Sequence, residues 1–316
     1  FSINGFPAGR FHAGPVKENV YAPDWRAPER LHYTLQLADI LADWLPEGID
    51  GSISTVPCAY KSWITSEDDV RLLAENFGAA VAYLSALRDD TGREIHIGLE
   101  PEPDCFLETT AETIAFFKDV LFTDTAAEAA RILKCYKSDA EALVRRHLGV
   151  CFDTCHVALQ YEDLAESLRA YRAEGIRISK VQLSAALRAV NSPATVAALR
   201  EFAEPVYLHQ VKGRAASGER FAWTDLPKAL AGLPGRADGD EIRVHFHVPL
   251  FFTGNGPIQS TIDALTPEFF HELRSGACPH VEIETYTFDV LPPDIRPDDV
   301  VKSIAREYSW ALAQLQ

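Results

Sequence analysis

The sequence predicts an α/β fold, a (β/α)8 TIM barrel built as a single domain over residues 1–316. Two observations lead there: short apolar runs alternate in series with longer amphipathic ones, and one face of nearly every short run is polar. Serial alternation implies parallel strands joined by crossover helices. An open doubly wound sheet is the competing architecture. Its nucleotide-fold signals are missing, since no GxGxxG follows the early strands and no GxxxxGK[ST] occurs.

Taken in order, "FSINGFP" leads to a helical pattern over Pro28–Leu45, with Leu31, Leu35, Leu41 and Trp44 on one side. "GSISTVP" leads to Ser66–Leu87, where "SEDD" supplies a capping Ser and an acidic first turn. "IHIGLEPEP" leads to helices across Thr109–Tyr136 and Asp139–His147, and "LGVCFDTCH" to Leu164–Glu174. "ISKVQLSAAL" leads to Ala194–Phe202, and "PVYLHQVKG", the weakest strand pattern, to Leu226–Leu230. "IRVHFHVPLF" leads to Pro267–Leu273, and "VEIETYTF" to a last helix over Asp298–Leu315. The chain contains no Met, and Phe1 already lies in a strand-like run, so an upstream segment is expected.

Strand side chains alternate between faces, so each run divides in two. Ile95, Ile97 and Leu99 should face the helices, leaving His96, Gly98 and Glu100 inside. Val150 and Phe152 go out, Cys151 and Asp153 in. Val181 and Leu183 go out, and Lys180, Gln182 and Ser184 go in. Tyr207 and His209 are placed inside, as are Arg243, His245 and His247 opposite Val244, Phe246 and Val248. Glu282, Glu284 and Tyr286 face inward opposite Val281 and Ile283, and Asn4 and Ser54 extend the set to the early strands. A wet polar face would explain one such strand. Six strands, each followed by an amphipathic helix, need their other face buried, and uncompensated charge there costs several kcal/mol. The carboxylates and imidazoles fall toward the carboxyl ends of the strands, where barrel active sites are built.

Composition narrows the function. A length of 316 residues suits one barrel, and 47% hydrophobic content can fill its core. A net charge of −16 argues against nucleic acid as a partner. Six Cys without a CxxC pair read as reduced thiols of a cytoplasmic protein. No run approaches the roughly 18–20 apolar residues of a membrane span.

In "GVCFDTCH", Asp153 has two readings: a cap for the following helix, or a member of an inward ring. Glu100, Asp153 and Glu284, with His209 or His247, offer hard oxygen ligands and a borderline imidazole. That mixture suits a divalent metal ion such as Mn, Mg, Co or Zn. Cys151 and Cys155 read as small buried hydrophobes rather than ligands. An open site of this kind polarises a carbonyl or hydroxyl oxygen. Glu100 and Glu284 would then move a proton between adjacent carbons as catalytic base and acid, the requirement of an isomerase or epimerase. His156, Gln182, His245 and Lys180 are the expected substrate contacts of a small-molecule metabolite. A lone inward Lys more often pairs with a carboxylate than forms a Schiff base.

At these residues the chain resembles the xylose isomerase-like TIM-barrel superfamily. "GLEPEP" is similar to the segment whose Glu binds metal, which falls on Glu100, and "CFDTCH" to a D-T-x-H signature, which falls on Asp153 and His156. "EIETY" is similar to the last-strand ending, which falls on Glu284. "KVQLS" departs from its counterpart, with Gln182 where a metal-binding His is usual; His209 or His247 would replace it, or Gln182 would ligate weakly. More narrowly, "NGFP", "VKENVYAPDW", "GSISTVP", "VQLSAALR", "YLHQVKG", "HFHVPLF" and "VEIETYT" resemble EboE-type metabolite traffic proteins. That resemblance implies a secondary-metabolite processing or traffic pathway, with other proteins of an export pathway as partners. It also implies an upstream strand and helix, leaving nine strand candidates for eight places and "PVYLHQVKG" as the insertion.

Other residues carry plainer expectations. Arg243 is expected in a lower barrel layer against Glu282. His12 and Lys17 lie in a loop that could reach the mouth, "TGNGP" reads as a turn, and Glu102 as a rim acid. Beside the metal-dependent isomerase stand a non-catalytic metabolite-binding barrel, favoured by Gln182, and a metal-dependent phosphodiesterase or endonuclease, disfavoured by the acidic balance.

Overall fold

Six strands of the predicted series run parallel in one sheet. They are seen in a computed structural model that describes residues 1–9, 15–293, 296 and 298–316. Strand β1 (Ser2–Asn4) is followed by α1 (Pro28–Trp44), and β2 (Gly51–Thr55) by α2 (Glu67–Thr91). Strand β3 (Ile95–Leu99) leads through α3 (Thr110–Phe116) and a π-helical continuation to α4 (Ala126–Leu133) and α5 (Lys137–His147). Strand β4 (Leu148–Asp153) runs into α6 (Thr154–Leu159) and α7 (Leu164–Ala173), and β5 (Arg177–Leu183) follows. The "SEDD" signal is a full capping box between Ser66 and Asp69, and α2 ends on Gly92 at φ 71°, where glycine carries no Cβ penalty.

After β5 the series breaks. Only Ser184 separates it from β6 (Ala185–Val190), and the chain goes on through α8 (Pro193–Leu199), β7 (Val211–Arg214), β8 (Arg220–Trp223), α9 (Leu226–Gly232) and β9 (Glu241–Val248) to the hairpin β10 (Gly254–Asn255) and β11 (Ile258–Ser260). These strands form a second, antiparallel sheet in the order β10-β11-β6-β9-β7-β8. Helix α10 (Pro267–Arg274) returns the chain to the first sheet at β12 (Val281–Ile283), and α11 (Val300–Leu315) ends it. The first sheet has the order β1-β2-β3-β4-β5-β12.

The α/β class and the parallel, helix-covered sheet are therefore as expected, but a full eightfold (β/α)8 barrel is not present among the described residues. The reason is local: a parallel crossover needs about a dozen residues, and one residue links β5 to β6. The run "HFHV" is a strand, but it pairs antiparallel with β6 and β7. Of "PVYLHQVKG" only Val211 onward is strand, in the second sheet rather than the first. "TGNGP" is the tip of a hairpin, as expected of a turn.

The edges of the parallel sheet, β1 and β12, meet through side chains instead of a backbone ladder. Ser2 Oγ donates to Glu282 Oε2 at 2.7 Å, and Asn4 Nδ2 to Glu284 Oε1 at 3.2 Å. Inside the curl, Lys180 Nζ lies 2.6 Å from Glu282 Oε1 and donates to Ser54 Oγ at 3.0 Å. A Cβ on Gly149 would come within 2.5 Å of the Arg177 carbonyl and Ser179 Oγ, so only glycine lets β4 and β5 approach there. Lys180→Met is expected to destabilise by about 3 kcal/mol, the low end for a broken buried pair because Glu282 is partly exposed. A urea midpoint unchanged in Lys180→Met would contradict this.

The outward residues build the main core: Ile97, Leu99, Val150, Phe152 and Val181 pack with Phe77, Phe117 and Phe269. A second core lies under the antiparallel sheet, where Leu187, Val211, Val244, Phe246 and Val248 meet Leu199, Leu226 and Leu233. At the amino ends of the strands, Asp50 joins His96 (3.2 Å), His280 (3.0 Å) and Arg177 (3.2 Å). Among the described residues no helix is long and apolar enough to cross a membrane.

Candidate metal centre

Three strands of the parallel sheet deliver carboxylates at their carboxyl ends. Asp153 is the last residue of β4, and Glu100 and Glu284 directly follow β3 and β12. The ladders continue one step to hold them: Glu100 N–H donates to Thr55 O at 3.1 Å, and Glu284 N–H to Leu183 O at 3.0 Å. One oxygen of each of the three lies within 4.8 Å of the others. Glu100 Oε2, Asp153 Oδ2 and Glu284 Oε2 are buried and have no hydrogen-bond partner.

Both readings of Asp153 are realised, one on each oxygen. Its Oδ1 caps α6, accepting from Cys155 N–H (2.7 Å) and His156 N–H (3.1 Å), and takes the Ser184 hydroxyl at 2.7 Å. Its Oδ2 is left unpartnered.

Burial and the facing Asp153 charge push the Glu100 carboxyl well above its ordinary value, and burial and Glu100 do the same to Glu284. Burial works to raise Asp153 as well, but the His156 and His247 rings and the Ser184 hydrogen bond hold it below its usual range. Three carboxylates this close cannot all ionise without a cation among them. Carboxylates this close, each keeping a buried, unpartnered oxygen, are a donor set a hard divalent ion fits.

Three imidazoles stand beside this ring. His156 Nε2 lies 3.1 Å from His245 Nε2, which lies 3.2 Å from His247 Nε2. His156 comes from α6, and the other two from the same face of β9, which rests its histidines on the carboxyl ends of the parallel strands. His247 Nδ1 donates to the Glu284 carbonyl at 2.8 Å and His156 Nδ1 to the Pro101 carbonyl at 3.0 Å. Burial pushes the His156 imidazole down to about 4 and His245 well below its ordinary value.

The sequence reading missed a buried polar chain behind these rings. Tyr21 OH donates to Glu102 Oε1 at 2.8 Å, and Gln210 Nε2 donates to Tyr21 OH (3.1 Å) and the Pro103 carbonyl (3.0 Å). Gln210 Oε1 then accepts from His245 Nδ1 at 2.7 Å. Glu102, expected at the rim, is buried, and burial pushes its carboxyl up to about 8. The signal available for it was position: Glu102 is two residues beyond Glu100 on the same alternation, between prolines.

The other expected residues are placed as follows. His209 is not brought to the ring: its Nδ1 donates to the His245 carbonyl and its Nε2 meets Glu204 Oε1, both at 2.7 Å. With both nitrogens engaged, and its segment not a barrel strand, it cannot serve as the ligand expected of it. Gln182 faces inward but does not line the cavity described below; its Oε1 accepts the Cys151 thiol at 2.8 Å. Lys180 is likewise off the cavity, paired with Glu282 instead of reaching a substrate. Arg243 lies with Glu241 and over the Tyr161 ring, not against Glu282. Lys17 reaches the cavity wall, but its Nζ is held by Asp225 at 2.8 Å. His12 lies outside the described residues.

Above the ring opens a cavity of about 420 Å³. Glu100, Glu284, Glu102 and the three imidazoles form its polar part, and Phe6, Val20, Leu208 and Ile283 its apolar part. The volume suits a small molecule.

No family model and no curated protein matches the chain. Solved structures that resemble it include the following two. One is the probable 3-DHS dehydratase AsbF involved in petrobactin synthesis from Bacillus anthracis, at 14% identity and a TM-score of 0.40, over 90% of this chain and 70% of that one. The other is the IOLI protein with a binding zinc atom, at 12% identity and a TM-score of 0.39, over 91% of this chain and 69% of that one.

Proposed function

We propose that the protein is a metal-dependent enzyme of the sugar isomerase or epimerase kind, acting on a small polyhydroxy or carbonyl metabolite. The observation that supports this most is the ring of Glu100, Asp153 and Glu284, three carboxylates that each bring an oxygen within 4.8 Å of the others and each keep one buried, unpartnered oxygen beneath a polar cavity. These residues would hold a divalent cation, which when bound polarises a hydroxyl or carbonyl oxygen. Glu100 and Glu284 line the cavity and would take a proton from one carbon and return it to the next. His156 and His245 line the same wall, beside the place a substrate would take. The six free, unbridged cysteines suit a reducing, cytoplasmic setting. In this reading the metabolite would belong to a secondary-metabolite processing or traffic pathway, with other proteins of an export pathway as partners, as the EboE-type sequence resemblance implies.

A second reading, a non-catalytic metabolite-binding protein, is favoured by Gln182, which stands in place of a ligating His and is turned to Cys151. One experiment separates the two. Metal-loaded protein is incubated in heavy water with a panel of aldoses, ketoses and small hydroxy ketones, and carbon-bound deuterium is followed by NMR. Exchange at a carbon beside the carbonyl supports the enzyme. Binding without exchange, at full metal content, supports the binding protein and overturns the isomerase.

A further inference from the structure

The three imidazoles face one another with the wrong atoms for mutual hydrogen bonding. The Nδ1 atoms of His156 and His247 meet backbone carbonyls of Pro101 and Glu284, which only accept, so each Nδ1 must carry the proton. Gln210 is oriented by the Pro103 carbonyl, which needs its NH₂ group; the Gln210 oxygen therefore faces His245 and fixes the proton on that Nδ1 as well. All three neutral rings then present a bare Nε2 lone pair, and that of His245 lies 3.1 Å from that of His156 and 3.2 Å from that of His247. Three lone pairs at hydrogen-bond distance, with no proton between them, repel unless a cation sits among them.

We propose that His156, His245 and His247 form a site for a second divalent cation of borderline softness, zinc or cobalt(II), beside the carboxylate ring. Imidazole nitrogens about 2.0–2.1 Å from a tetrahedral zinc lie roughly 3.3 Å from each other, close to the two separations of His245 from His156 and from His247. The Nδ1–H groups of all three rings are held by oxygen acceptors, the outer support that metal-bound histidines regularly carry. All three rings line the cavity, so a fourth position faces it, and three protein ligands with one open position is the catalytic rather than the structural zinc pattern. The amino-end cluster of Asp50, His96 and His280 lacks this character, because there the Arg177 guanidinium already faces the carboxylate at 3.2 Å.

The assignment gives His247 to this ion instead of to the carboxylate-bound one. It does not depend on isomerase chemistry; the count of two equivalents rests on the carboxylate ring also taking an ion, and the tetrahedral bands do not. The test is cobalt substitution of the wild-type protein, read by visible absorption and elemental analysis. Two equivalents per chain are expected, with the intense bands of tetrahedral, nitrogen-bound cobalt. His245→Ala should halve the metal content and remove those bands, and Glu284→Gln should leave them in place. Wild-type protein that takes up at most one equivalent and shows no tetrahedral bands would overturn the proposal, as would bands that persist in both His245→Ala and His247→Ala. Unchanged metal content in Glu284→Gln, with the bands present, would count against the carboxylate ring and not against the imidazole site.

Discussion

Glu284→Gln is expected to lose the cation of the carboxylate ring together with any proton exchange the protein catalyses. The substitution preserves shape, the backbone hydrogen bond to Leu183 and an acceptor for Asn4. It removes one negative charge from a set of three whose oxygens lie within 4.8 Å. Loss of an outer-shell partner typically weakens a metal site 10–100-fold, so loss of a direct charged ligand should cost at least about tenfold in affinity. Proton exchange should fall by roughly 10²–10⁴, the usual contribution of a general acid or base. Metal-free Glu284→Gln should be more stable than metal-free wild type, because one of the mutually repelling groups is gone. Elemental analysis, deuterium incorporation and urea midpoints read the three effects. Metal content that stays at the wild-type level in both Glu284→Gln and Glu100→Gln would remove the ligand assignment.

Metal removal is expected to destabilise the protein strongly at pH 8 and weakly near pH 5. Glu100 and Glu284 have folded-state values above the ordinary carboxyl value of 4.5, and Glu102 reaches about 8. Without a cation, the folded chain keeps these protons after the unfolded chain has released them. Stability contributed by the groups is thus full below about 4.5 and is lost as pH rises toward their folded values. Buried His156 acts in the opposite sense: its folded value is about 4 against 6.5, so its contribution is full above 6.5 and declines as pH falls toward 4. The metal-free protein should be most stable in mild acid. A cation competes with the carboxyl protons, so its stabilisation should grow with pH, reaching about 2.7 kcal/mol at a hundredfold excess over its dissociation constant. Melting curves with EDTA and with manganese or zinc, at both pH values, test this. Equal midpoints with and without metal at pH 8 would contradict it.

The parallel strands and their faces were legible because alternation reports burial directly. Ile97, Leu99, Val150 and Phe152 are in the main core, and Glu100 and Asp153 are on the inner side. The faces of residues 244–248 were legible for the same reason. Their sheet was not, since alternation says that one face is apolar without saying which core receives it. The continuous run "SKVQLSAALRAV" hid the break at Ser184, where one strand ends and an antiparallel one starts with no punctuating Gly or Pro. That error carried His209 into the ligand set, because a supposed barrel strand would have pointed it inward. The Tyr21–Glu102–Gln210 chain was out of reach for a different cause: its members are 81 and 189 residues apart, and no local pattern encodes so distant a pairing.

The strand that carries His245 and His247 belongs to a different hydrophobic core from the strands that carry Glu100 and Asp153. The pocket is thus a mould closed from two separately packed halves, with the acids and His156 on one and His245 and His247 on the other. Slippage between the halves by even an ångström would part His245 and His247 from His156 and the acids without disturbing either interior, so the quality of the site reports on how well the halves are seated.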